Sequence, residues 1–168
     1  SLSSKKLLCS VYNLKDECIS IVPHDMSYCK FTELETHPEE LHLGIVGSIT
    51  SVAKGKFVVA DLLNFLKGGN IPIDIFGDFP SKLQVSSKNI VYHGKYNSIR
   101  LQEILYNNEI NVVFFPSIGP ETFSYLVSEL IQIGIPIVCL NLGAQGEKVN
   151  SYIYGITIEE MTPETIME

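Results

Sequence analysis

Two carboxylates, Glu121 and Glu129, stand eight residues apart, and Thr122, Phe123, Ser124 and Tyr125 directly follow the first. Earlier in the chain, Gly47, Ser48 and Lys54 form a second group on a short loop. Where a parallel strand ends and a helix begins, unpaired backbone N–H groups and a partial positive charge favour an anion. Lys54 adds a compact cation suited to a diphosphate, and Gly47 permits close backbone approach to a ligand. On these grounds alone the glutamates keep a plainer reading. Glu121 partners the helix dipole, and Glu129 lies on a solvated helix face.

The elements that must position these residues are legible in the apolar pattern. Residues 110–115 (INVVFF) predict a strand buried on both faces of a parallel sheet, which Pro116 ends. Phe123, Leu126, Val127, Leu130 and Ile131 then recur at helical spacing, predicting an amphipathic helix stopped by Gly134 and Pro136. Glu121 and Glu129 would be roughly 12 Å apart along its axis, at about 1.5 Å per residue. Residues 135–140 (IPIVCL) predict another buried strand. Upstream, residues 41–47, 71–76 and 89–93 predict strands, and residues 56–66 and 98–106 helices. Downstream, residues 143–147 (GAQGE) read as a glycine-bearing loop and residues 152–158 as an edge strand. Thr162 and Pro163 read as a capped helix start. In the N-terminal part, residues 6–12 and 17–22 read as short strands. The alternation specifies an α/β, Rossmann-like, doubly wound, mostly parallel sheet with helices on both faces.

The 168 residues are 45% hydrophobic and 18% charged, which suits one folded domain rather than a disordered chain. A net charge of −7 gives no general attraction to nucleic acid or an anionic membrane, so any phosphate must be held locally. No apolar run approaches a membrane span, and no signal-peptide pattern opens the chain. Cys9, Cys18, Cys29 and Cys139 lack CxxC pairing, and His24, His37, His42 and His93 are scattered. Neither a metal site nor a disulfide framework is expected, and Cys139 reads as packing. P-loop and GxGxxG fingerprints are both absent.

The string Pro120-Glu121-Thr122-Phe123-Ser124-Tyr125, followed by Ser128-Glu129 and by Leu142-Gly143-Ala144 with Glu147, resembles retaining glycosyltransferase family 4. Glu, seven residues, Glu is that family's hallmark in the donor-binding half of the GT-B fold. The longer match resembles a bacterial branch that builds O-antigen and other surface polysaccharides, rhamnose polymers among them. The resemblance implies a nucleotide-diphosphate sugar as donor substrate, no metal, no cofactor and no protein nucleophile. It implies that Glu129 receives ribose hydroxyls and that Glu121 orients the donor sugar. Amides around Thr122, Phe123, Ser124 and Tyr125, with Gly47, Ser48 and Lys54, would hold the diphosphate. The Gly94-Lys95-Tyr96 turn would meet the nucleobase. Ser48 stands where the wider family has arginine, and Lys148 where the branch more often has arginine.

By the same resemblance, residues 21–31 are similar to the segment that enters the second domain of these enzymes. The expected division is therefore a linker-like residues 1–40 and a donor-binding residues 41–168 that stops short of the final helices. The implied partners are an N-terminal acceptor-binding domain of the same polypeptide and a glycan or lipid-linked acceptor, with no nucleic acid. The expected place is the cytoplasm or the cytoplasmic face of an inner membrane. Two readings compete with a transferase: a degenerate GT-B-like scaffold, which the missing arginine favours, and a nucleotide-sugar epimerase of the same fold. A receiver or flavodoxin-like module lacks support, because Gly47-Ser48 supplies no acidic cluster after the first strand.

Overall fold

The computed structural model describes residues 1–26 and 40–168. Six strands form one sheet: β1 (Leu43–Val46), β2 (Ile73–Phe76), β3 (Ile90–Gly94), β4 (Val112–Phe115), β5 (Ile137–Leu140) and β6 (Gly155–Ile158). Their order is β3-β2-β1-β4-β5-β6, and every neighbouring pair is parallel. Six α-helices accompany them: α1 (Leu2–Tyr12), α2 (Lys56–Leu66), α3 (Leu101–Asn107), α4 (Tyr125–Ile133), α5 (Gly143–Asn150) and α6 (Pro163–Met167).

Side-chain alternation along each strand feeds two cores. Leu43, Ile45, Ile73, Ile75, Phe114 and Val138 face α2 and α6, which contribute Val59, Leu62, Leu63 and Ile166. Val46, Phe76, Val113, Phe115, Ile137 and Cys139 face the other way, against Leu101 and Leu105 of α3, Val127, Leu130 and Ile133 of α4, and Val149 of α5. Helices thus cover both faces, as the apolar runs predict. Among the described residues, no helix is long and apolar enough to cross a membrane.

Five expectations are corrected. Residues 6–12 are not a strand but part of α1, whose start is capped by Ser1 and by Glu147 of α5, which accepts from Leu2 N at 3.0 Å and Ser3 N at 2.5 Å. Residues 17–22 contain the end of a 3-10 turn and extended chain. Residues 143–147 are not a loop: small side chains let α5 press against the neighbouring backbone, burying Gly143, Ala144, Gln145 and Gly146. Phe123 and Ser124 precede α4 rather than belonging to it, and Glu129 is buried on α4 instead of solvated. The linker-like segment's residues 27–39, with Cys29 and His37, lie outside the described residues.

Candidate functional site

The order 3-2-1-4-5-6 makes β1 and β4 neighbours whose following connections leave toward opposite faces. Such a switch point opens a crevice at the carboxyl ends of the strands. Here the two loops that wall the crevice are fastened together. The Ala53 carbonyl accepts from Ile118 N at 2.9 Å, Gly119 N at 2.9 Å and Ser117 Oγ at 3.1 Å. Gly55, in the left-handed region at φ 78°, begins α2 so close to Pro116 that a Cβ would stand 1.9 Å from the Pro116 oxygen. Lys54 Nζ then donates to a Glu121 carboxylate oxygen across the gap.

A cavity of about 300 Å³ lies between these walls. Gly47, Ser48, Lys54, Tyr96, Glu121 and Tyr125, all expected site residues, line it. Ser117 and Leu126 line it as well and escaped the sequence reading, since neither belongs to a recognisable string. Glu129 does not border the cavity, but its charge reaches Tyr96. Burial first, and the Glu129 field second, push the Tyr96 phenol up to about 12.

The remaining expected residues fall elsewhere. Gly94 closes β3 and accepts from Gly77 N at 2.7 Å, while Lys95 lies on the surface, 3.7 Å from Asp78. Thr122 and Phe123 line a second cavity of about 390 Å³ beside the N-terminal segment. Ser124 caps α4 at φ 60°, with a buried Oγ that has no hydrogen-bond partner among the described residues.

Several residues with clear roles were not visible as site residues in the sequence. Gln145, fully buried on α5, accepts from Glu121 N at 2.9 Å and donates to the Gly119 carbonyl at 2.8 Å. Lys148 donates to Ser128 Oγ, reaches the Ser124 carbonyl at 3.4 Å, and lies 3.4 Å from the Phe123 ring centroid. His24 packs on Phe123 and Tyr125, with ring centroids 4.6 and 5.2 Å away. Apart from this site, the buried carboxylate of Asp74 hydrogen-bonds His42 at 2.5 Å and also His93, so two histidines scattered in sequence meet on one face of the sheet. Among the described residues, no group of three or more His, Cys, Asp and Glu side chains is arranged to hold a metal.

No protein-family model matches the chain, and no curated protein matches it in sequence. Solved structures do. Anabaena HepE in complex with UDP and glucose superposes over 75% of this chain at a TM-score of 0.57 and 15% identity. The lipopolysaccharide outer core galactosyltransferase WaaB, in its apo form, covers 83% at 0.60 and 16%. The architecture is one half of a GT-B fold. A glycosyltransferase from Rickettsia africae extends the correspondence of this GT-B-like domain to 99% of the chain, at 0.57 and 18%. The chain spans 36%, 41% and 40% of those three proteins.

Proposed function

We propose that this domain is the nucleotide-sugar-binding half of a retaining, family 4 type glycosyltransferase that transfers a hexosyl or deoxyhexosyl residue in bacterial polysaccharide synthesis. The observation that carries the reading is the cavity at the switch point, with Lys54 and Glu121 facing each other across its mouth. A diphosphate entering there competes with Glu121 for the Lys54 ammonium and releases the carboxylate toward the sugar. Amides of residues 122–125 and the start of α4 receive the phosphate oxygens, whose charge grows as the bond to the anomeric carbon breaks. In transfer, the acceptor hydroxyl oxygen bonds the anomeric carbon from the same face and its proton passes to the departing phosphate oxygen. No protein nucleophile takes part. Tyr96 supplies an aromatic wall for the base, and Glu129 accepts ribose hydroxyls.

Acceptor recognition belongs to an N-terminal domain of the same polypeptide, with a glycan or lipid-linked acceptor, in the cytoplasm or at the cytoplasmic face of an inner membrane. UDP is the first nucleotide to try, because HepE is held with it. Calorimetric titration with UDP, GDP, dTDP, CDP and ADP tests the reading, repeated with Glu129→Ala. Saturable binding of one diphosphate, weakened more than about tenfold or 1.4 kcal/mol in the variant, is the expected result. No binding at millimolar concentration would sink the donor-site reading and favour the degenerate scaffold, to which Ser48 in place of arginine already points.

A further inference from the structure

Ser124 holds the entrance of α4 in a conformation that L residues rarely adopt, at φ 60°, and its buried hydroxyl has no hydrogen-bond partner among the described residues. A strained turn of this kind persists only where its surroundings enforce it. The Ser124 carbonyl accepts from Ser128 N at 3.2 Å and Ser128 Oγ at 3.1 Å. The third donor is Lys148, which arrives from another helix, α5, also donates to Ser128 Oγ, and lies over the Phe123 ring.

We propose that Lys148 is a positioning residue, whose ammonium, seated among the Phe123 ring, the Ser128 hydroxyl and the Ser124 carbonyl, locks residues 122–125 into the turn that receives the diphosphate. The role of that turn in ligand binding rests on the donor-site reading above; its being held by Lys148 does not. The amine has titratable neighbours. Glu121 faces it from the β4–α4 loop and favours its charge, Glu147 adjoins it on α5, and Lys5 and His24 line the same second cavity from the N-terminal segment. Burial outweighs the Glu121 field and brings the Lys148 amine down from 10.5 to about 8. Above that pH the cation–π contact is lost along with the charge.

The depressed pKa fixes the sign of any pH effect. A lysine with a depressed folded pKa is protonated in the unfolded chain between pH 8 and 10.5 and neutral in the folded one, so by itself it makes the fold more stable as pH rises through that window. Opening of the turn that frees the amine follows the same rule, so the charge is removed by substitution rather than by pH.

The test compares the intact chain with Lys148→Arg and Lys148→Met at about pH 7, where the amine is charged, following UDP binding by calorimetry and amide-exchange protection at residues 122–126. Lys148→Met is expected to lose about tenfold in affinity and in protection. Lys148→Arg, which keeps the charge and the donors, should restore both. Unchanged protection at residues 122–126 in Lys148→Met overturns the proposal, and Lys148→Gln takes its place if the methionine variant does not fold. Protection lost in Lys148→Met and kept in Lys148→Arg, without UDP binding by any of the three chains, supports the lock and refutes the donor-site reading instead.

Discussion

Replacing Gly55 by alanine asks whether the two loops at the switch point are pressed together or merely adjacent. Gly55 sits at φ 78°, and an added Cβ would meet the Pro116 oxygen at 1.9 Å and its carbonyl carbon at 2.7 Å. The left-handed backbone alone costs an alanine about 1–2 kcal/mol. The collision involves main chain on both sides, so the loops must part, at a further cost of about 1–3 kcal/mol, typical of overpacking. Gly68 provides the control. It has nearly the same φ, 74°, yet a Cβ there meets nothing within 4 Å, so Gly68→Ala carries only the conformational term. At about 2–4 °C per kcal/mol for a chain of this size, a Gly55→Ala loss of about 3 kcal/mol lowers the melting temperature by about 6–12 °C, against about 2–8 °C for the roughly 1–2 kcal/mol of Gly68→Ala. Urea denaturation gives both free energies directly, provided the m-values match. Equal losses in the two variants would refute the close approach. UDP affinity should fall in Gly55→Ala, whose displaced wall carries Lys54 and Ser117, and hold in Gly68→Ala.

Other consequences can be measured independently. The Tyr96 phenol should ionise only near pH 12, against an ordinary 10.0, in an ultraviolet titration. Because the unfolded chain releases that proton first, stability should fall between pH 10 and 12, and Glu129→Gln should move the ionisation downward but not fully back, burial being the larger cause. The Cys139 thiol, buried and pushed up to about 12, should resist alkylation in the native chain while exposed Cys18 reacts; rapid labelling of both would contradict its burial. Asp74→Ala should cost about 3 kcal/mol in urea denaturation, since it strips the shared partner from His42 and His93. A loss under about 1 kcal/mol would show that water replaces the carboxylate.

The parts of the fold read correctly from the sequence are those specified by local pattern. Residues 56–66 begin behind Gly55 and end before Lys67-Gly68-Gly69, and α2 occupies that span. The strands follow from short β-branched runs, and Gly134, in the left-handed region at φ 83°, terminates α4 as a glycine stop should. The failures share a different cause, contacts between distant segments. Residue pairs 144 and 145 apart, Ser3 and Leu2 with Glu147, secure the start of α1, which buries no side chain of its own and so shows no apolar stripe. The glycines of α5 argue against a helix by propensity. They are tolerated because the backbone must pass close to Glu121 and Asn141, where a Cβ on Gly143 or Gly146 would come within 2.9 Å. Glu121, Lys54, Ser48, Gly47, Tyr96 and Tyr125 line one cavity, whereas Gln145 and Lys148 make their contacts from α5, which was not expected to be a helix at all.

The loop that carries Glu121 is shaped largely by groups from outside it, with Ser117 its own contribution. Gln145 grips the Glu121 amide and the Gly119 carbonyl, Ala144 N donates to the Glu121 carbonyl at 2.9 Å, and the Ala53 carbonyl holds Ile118 and Gly119. Among the described residues, the side chains of Ser48 and Thr122 make no hydrogen bond that holds the loop in place, whereas Glu121 pairs with Lys54 across the gap. That division makes the domain a candidate for redesign. Ligand preference can be rewritten at Ser48 and Thr122 without disturbing the frame, whereas Gln145, Ala53 and Gly55 mark where a combinatorial library should not reach.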